Sequence, residues 1–203
     1  MQVTILSDKI TRIRSEILIL GFFQDVRPIT GYAAEIDWFT NGVISSLIQQ
    51  NKINGSLGEA TLLATSKILT PKILLVGLGQ KRDYSYKILQ ELSSHVLEIL
   101  ARLKVREATT ELWGQEECSL DLVCCLDVFL QGCMANPCLQ PQVESTGEAP
   151  ALITLLTHQS DRIKELTHRI REYERARTLP PSTPGGSSGP SQDLGILRAE
   201  TKR

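Results

Sequence analysis

The stretch PKILLVGLGQKRDYSYKILQEL, residues 71–92, decides the fold. It reads as a short apolar strand, KILLVG, then a Gly-x-Gly turn, then a helix. An unbroken apolar run of strand length fits a strand covered on both faces. In the helix, Ile88, Leu89, Leu92, Val96, Ile99, Leu100 and Leu103 recur at helical spacing and form one stripe. A phosphate cradle at such a turn needs free backbone N–H groups at a helix N-terminus, with glycines letting the anion approach. The dinucleotide fingerprint places three glycines in six residues and starts the helix among them. Here Gly77 and Gly79 stand alone, the charged QKRD follows, and the helix is expected from about Ser85. No Gly-Lys-Ser or Gly-Lys-Thr is present. The turn therefore reads as structural, with Lys81 and Arg82 in a solvated loop.

Outward from that unit, strands and helices alternate. VTIL (3–6), ILILGFF (17–23), ATLLAT (60–65), ATTELW (108–113) and ALITLL (151–156) read as further strands. A helix is expected within GYAAEIDWFTNGVISSLIQQ. Ile36, Phe39, Val43 and Leu47 fall on its apolar face, Ile44 and Ile48 lie beside them, and Gly42 is mid-helix. Leu120–Met134 reads as a buried helix. Ser160 is the expected cap of a last helix running to about Arg177, where Ile163, Leu166, Ile170 and Tyr173 make a short a/d-like seam. That seam either offers a contact surface or packs on the domain's own sheet. The pattern predicts an α/β layered domain with a mostly parallel or mixed sheet flanked by helices. From residue 178 the chain turns to TLPPSTPGGSSGPSQDLGILRAETKR, with four of the nine prolines and four of the fourteen glycines. Such a composition cannot bury enough apolar surface to offset chain entropy. The expected division is a domain over 1–177 and a disordered tail over 178–203.

Composition narrows the function classes. The 203 residues carry a formal charge of -1 and 41% hydrophobic residues. A core is affordable, and no global basic field points to nucleic acid. The longest apolar runs are too short to span a bilayer. The start MQVTILSDKITR lacks the pattern of an export signal, so a cytoplasmic, soluble protein without nucleic-acid or membrane partners is expected. Cys118, Cys124, Cys125, Cys133 and Cys138 are separated by five, none, seven and four residues, unlike the Cys-x2-Cys knuckles of zinc sites. They read as reduced thiols packed in an apolar helix. The histidines are His95, His158 and His168, and neither a Gly-x-Ser-x-Gly elbow nor a His-Glu-x-x-His is present. Glu116–Glu117 reads as a solvated pair. No catalytic residue, cofactor or metal ligand is assigned.

Three segments in order, SEILILGFF, AAEIDWFTNGVISSLIQQNKINGSLGEATLL and the opening stretch, resemble the N-terminal domain of the leucyl (cytosol) aminopeptidase family. The family's strand ending Val-Gly-Leu-Gly matches 76–79. Its upstream Asp, helical Gly and Gly-Lys-x-Gly-Glu turn match Asp37, Gly42, Gly55, Gly58 and Glu59, with Ser56 in place of the lysine. The resemblance implies a macro-domain-like fold over about residues 3–157. It also implies that peptidase chemistry belongs to a separate two-metal domain marked by Asn-Thr-Asp-Ala-Glu-Gly-Arg, a segment not found in these 203 residues. The expectation is a non-catalytic domain acting through protein contacts, as an accessory subunit of a full-length leucyl aminopeptidase or as an oligomerisation module pairing with itself. The alternative is a nucleotide or ADP-ribose binder using the crevice at the strand ends near Gly21, Gly77, Gly79 and His158. The macro-domain Asn-Ala-Ala-Asn strand end has no counterpart here.

Overall fold

Strands β2 (Ile17–Phe22) and β4 (Lys72–Gly77) are the two most apolar segments, and they lie side by side in the middle of the sheet. Both faces of these strands are covered, which is why neither shows a polar–apolar alternation. The computed structural model describes residues 1–135 and 150–178. Around the central pair run β1 (Gln2–Leu6), β3 (Ala60–Ala64), β5 (Glu107–Glu111) and β6 (Leu152–Leu156). The six strands follow the order β1-β6-β5-β2-β4-β3. All neighbours are parallel except β3, which pairs antiparallel with β4 at the edge. The sheet is thus mixed, as expected.

Helices cover the two faces. On one side α3 (Tyr86–Arg102), α4 (Leu122–Ala135) and α5 (Ile163–Thr178) bury Leu89, Val96, Leu126, Phe129, Leu166 and Ile170 against Ile19, Leu74 and Ile153. On the other, α1 (Gly31–Phe39) and α2 (Val43–Gln49) bury Ile36 and Ile44 against Leu18, Leu20 and Leu75. Cys125 and Cys133 lie in the first of these cores, and burial pushes each thiol up to about 12. They act as small apolar groups. Cys138 and the expected tail beyond Thr178 lie outside the described residues.

Two details differ from the sequence reading, and the α5 seam takes one of its two expected roles. The expected single helix around Gly42 is two helices, because Asn41 (φ 63) and Gly42 (φ 77) are both left-handed and break the ladder. The break turns Phe39 and Val43 out of the predicted apolar face, leaving them 45% and 43% exposed. Ser160 makes no side-chain cap. A 3-10 turn over Ser160–Arg162 leads into α5 instead. The seam of α5 packs inward, with Leu166 and Ile170 buried in the domain's own core and Ile163 and Tyr173 half-buried against it. Arg169 fixes the helix to α4 through two bonds of 2.8 Å to the Asp127 carboxylate.

Candidate functional site

The Gly-x-Gly turn has no donors left for an anion. Gly77 N–H donates to Glu59 O at 2.7 Å, Leu78 N–H to Phe22 O at 3.0 Å and Gly79 N–H to Gly55 O at 2.9 Å. A Cβ on Gly77 would overlap the Ser56 carbonyl oxygen, and Gly79 is left-handed at φ 75. The glycines let the loop over Gly55–Leu57 lie directly on the end of β4. That loop is itself held by Glu59, whose carboxylate accepts the N–H groups of Asn54, Gly55 and Ser56 at 3.1, 2.7 and 3.2 Å. Asp37 works alike. Its Oδ1 accepts Ile44 N–H at 2.7 Å and Ser45 N–H at 3.1 Å, capping α2 where Gly42 opens it.

The crevice at the carboxyl ends of the parallel strands is formed at the ends of β5 and β6, with β2 behind Glu111. Glu111 ends β5, Thr157 and His158 follow β6, and the start of α1 brings Gly31 and Tyr32 over them. The loop after β5 closes the notch with Glu116 and Glu117. The enclosed space is about 20 Å³, room for one water. Beyond the Tyr32–His158 wall lies a shallower cleft of about 350 Å³ that includes Asp8, Lys9 and Glu35.

Of the four glycine and histidine candidates, the structure brings two to this crevice. His158 is exposed and stacks on Tyr32, ring centres 4.0 Å apart and planes 17° from parallel. Gly21 contributes its N–H, which points at Glu111 Oε1 from 3.4 Å, but its own flank is filled by Trp113. Gly77 and Gly79 lie against the Gly55–Leu57 loop instead. His95 and His168 are on exposed helix faces, His168 3.3 Å from Glu172.

Sequence reasoning missed the residue that sets the electrostatics. Burial and the neighbouring Glu117 push the Glu111 carboxyl up to about 8, against the partial relief of the Gly21 N–H. The two carboxylates converge on Gly31: a Cβ there would lie 3.2 Å from Glu117 Oε1 and 4.0 Å from Glu111 Oε2. Glu117 accepts the Thr30 hydroxyl at 3.1 Å, so it is not the free surface group expected of a solvated pair. Tyr32 is 3% exposed and its hydroxyl has no protein partner, and burial and Glu111 raise its pKa. The notch can accept a proton, a water or a cationic group. Glu116 and Glu117 at the notch, with Asp8 and Glu35 against Lys9 in the neighbouring cleft, disfavour a pyrophosphate. Among the described residues, no group of three or more His, Cys, Asp or Glu is placed to hold a metal ion, and no helix is long and apolar enough to cross a membrane.

A second feature lies at the α1–α2 corner. An open groove of about 590 Å³ runs between Pro28, Ile29 and Ala34 on one side and Asn41, Gly42 and Ser45 on the other. Trp38 stands at its rim 82% exposed, with Phe39 and Val43 also exposed nearby in sequence. The signal was a tryptophan off the helix's apolar stripe.

Comparison with known proteins agrees with this architecture. A probable cytosol aminopeptidase of Burkholderia pseudomallei is 32% identical over 100 residues, which are 49% of this chain and 20% of that relative. This chain thus spans about a fifth of the length of the curated relatives it matches. Among solved structures, a tomato leucine aminopeptidase mutant superposes with a TM-score of 0.59 at 14% identity, covering 85% of this chain and 35% of that one. A Trypanosoma brucei macrodomain in complex with ADP superposes at 0.65 and 12% identity, covering 83% and 69%. These structural likenesses show the fold. Residues 19–121 match the cytosol aminopeptidase family, N-terminal domain, half of the chain, and the protein therefore belongs to that family through its N-terminal domain.

Proposed function

We propose that residues 1–177 are a non-catalytic domain that acts through protein contacts, as an accessory subunit of a full-length cytosol aminopeptidase or as an oligomerisation module. The observation that carries this reading is Trp38, 82% exposed at the rim of a groove, with Phe39 and Val43 exposed nearby in sequence. Large exposed apolar groups in one place mark interaction surfaces, and tryptophan is prominent among the anchors of interfaces. The family positions support the same view. Asp37, Gly42, Gly55, Glu59, Gly77 and Gly79 hold backbone to backbone, and none faces a reacting centre. Two-metal hydrolysis needs convergent acidic ligands, and the described residues gather no such set. A cytosolic location fits the naming of the relatives.

The test is affinity capture from the native lysate with the chain and its Trp38→Ala variant as baits. The expected result is a full-length cytosol aminopeptidase bound by the first and lost from the second. Chelator-sensitive hydrolysis of leucine anilide by the purified chain would overturn the non-catalytic reading.

The second reading, a nucleotide or ADP-ribose binder, is favoured by the likeness to a macrodomain in complex with ADP. The acidic crevice opposes it. A ligand that binds the fold raises the melting temperature in step with its excess over Kd, so ADP-ribose at millimolar concentration is expected to leave the melting temperature unchanged. A dose-dependent rise would restore this reading.

A further inference from the structure

We infer that the free edge of β3 pairs antiparallel with the β3 edge of a second copy of this chain, centred on Leu62. This deepens the protein-contact reading and rests on it.

The direction of each backbone group follows from the ladder. β3 pairs with β4 in the register Ala60↔Val76 to Ala64↔Lys72. Gly77 N–H donates to Glu59 O and Thr65 N–H to Pro71 O, which fixes the bonded positions at 59 and 65. Antiparallel pairs alternate between bonded and non-bonded positions. Thr61 and Leu63 therefore point their N–H and C=O groups at β4, and Ala60, Leu62 and Ala64 point theirs away. β3 ends the strand order, so these groups face no other strand.

Edge strands are commonly protected by charge, proline or a covering segment. Ala60–Ala64 holds neither a charge nor a proline, and among the described residues no strand lies beyond it. Its outward positions read Ala-Leu-Ala and are the same in both directions about Leu62. In an antiparallel self-pairing Leu62 meets Leu62 of the second copy, and each Ala60 meets an Ala64. Every outward N–H and C=O of these three residues then finds its partner. A two-fold contact uses one patch twice, so a patch that is its own complement is what it requires.

The side chains agree. Ala60, Leu62 and Ala64 share a face with Leu74 and Val76, yet they are exposed, Leu62 by 45%. Leu57 and Leu69, just before and after the strand, are 53% and 51% exposed. Antiparallel pairing carries the Leu57 end of one copy to the Leu69 end of the other. The interface is small and belongs with weak, concentration-dependent contacts.

The test is sedimentation velocity of the full 203-residue chain across the micromolar range, with Leu62→Lys and Leu62→Glu. Like charges meeting on the axis are expected to keep each variant monomeric while the wild type dimerises. An equimolar mixture of the two variants is expected to regain the dimer, a rescue that a misfolded variant cannot give. Amide exchange supplies a second readout. Protection at Ala60, Leu62 and Ala64 should rise with concentration, while Thr61 and Leu63 stay protected throughout. A wild type monomeric at every concentration overturns the inference, as does a dimer that ignores both variants. Neither result removes the protein-contact reading, which falls only if capture of the full-length aminopeptidase also fails.

Discussion

Replacing Glu111 by Gln should make the protein more stable, and increasingly so as pH rises. The carboxyl stands at about 8 in the fold against an ordinary 4.5. Its protonated form is therefore the one the fold prefers. The stability tied to that proton is complete below pH 4.5 and is lost as pH climbs through 8. A difference of this size corresponds to about 5 kcal/mol once the group is fully ionised. The carboxyl is half-buried, and solvent screening trims the figure to about 2–4 kcal/mol. Glutamine keeps the shape, can still accept the Gly21 N–H, and turns a repelling neighbour of Glu117 into a donor. Urea unfolding at pH 5 should separate variant and wild type by under about 1 kcal/mol, and at pH 9 by about 2–4 kcal/mol in favour of the variant. A difference that does not change with pH, or a variant less stable at pH 9, would refute the placement of Glu111 beside Glu117 in a narrow notch.

Other substitutions probe the scaffold. Asp37→Ala strips two buried amides of their acceptor at the start of α2 and should cost about 2–4 kcal/mol, with Asp37→Asn costing less; urea midpoints compare them. Gly77→Ala forces the Ser56 carbonyl off the strand end and should cost about 2 kcal/mol or more, seen as a lowered Tm with earlier proteolysis of the 53–59 loop. Leu166→Ala should cost about 2–5 kcal/mol in the same unfolding assay, since the α5 seam is core. A neutral result there would return α5 to the candidate contact surfaces.

Much of the fold was legible because local pattern and burial coincide. The runs ILIL and ILLV are apolar throughout because helices cover both faces of β2 and β4. The stripe of α3 is readable for the same reason. The break between α1 and α2 was hidden, because residues 36–48 keep a helical period across two left-handed residues. Period tells which residues could share a face, not whether the backbone stays helical between them. Glu111 was hidden differently. A glutamate closing the strand EATTE looks like a surface residue. It is covered by the start of α1, about eighty residues away along the chain, and by the 115–117 loop that folds back over it. The α5 seam was visible, but its partner was not, since β1 and α4 lie far away along the chain.

The resemblance that identifies the family and the chemistry that could define a function fall on different residues. Asp37, Gly42, Gly55, Glu59, Gly77 and Gly79 carry the likeness, and each is explained by a backbone it caps, opens or lets approach. They say nothing about a ligand. The crevice is set by Glu111, Glu117, Tyr32 and His158, which no family motif named. A macrodomain in complex with ADP shares the fold, but an anionic ligand in this crevice meets the half-buried carboxyls of Glu111 and Glu117. Burial and the neighbouring Glu117 raise the Glu111 carboxyl to about 8, so raising pH adds negative charge to the crevice. The fold supplies the location of a pocket, and the acidic side chains around it oppose the ligand that the fold alone would suggest. Apolar side chains and a strand edge stand exposed on the described surface, and these are the features on which our protein-contact proposal rests.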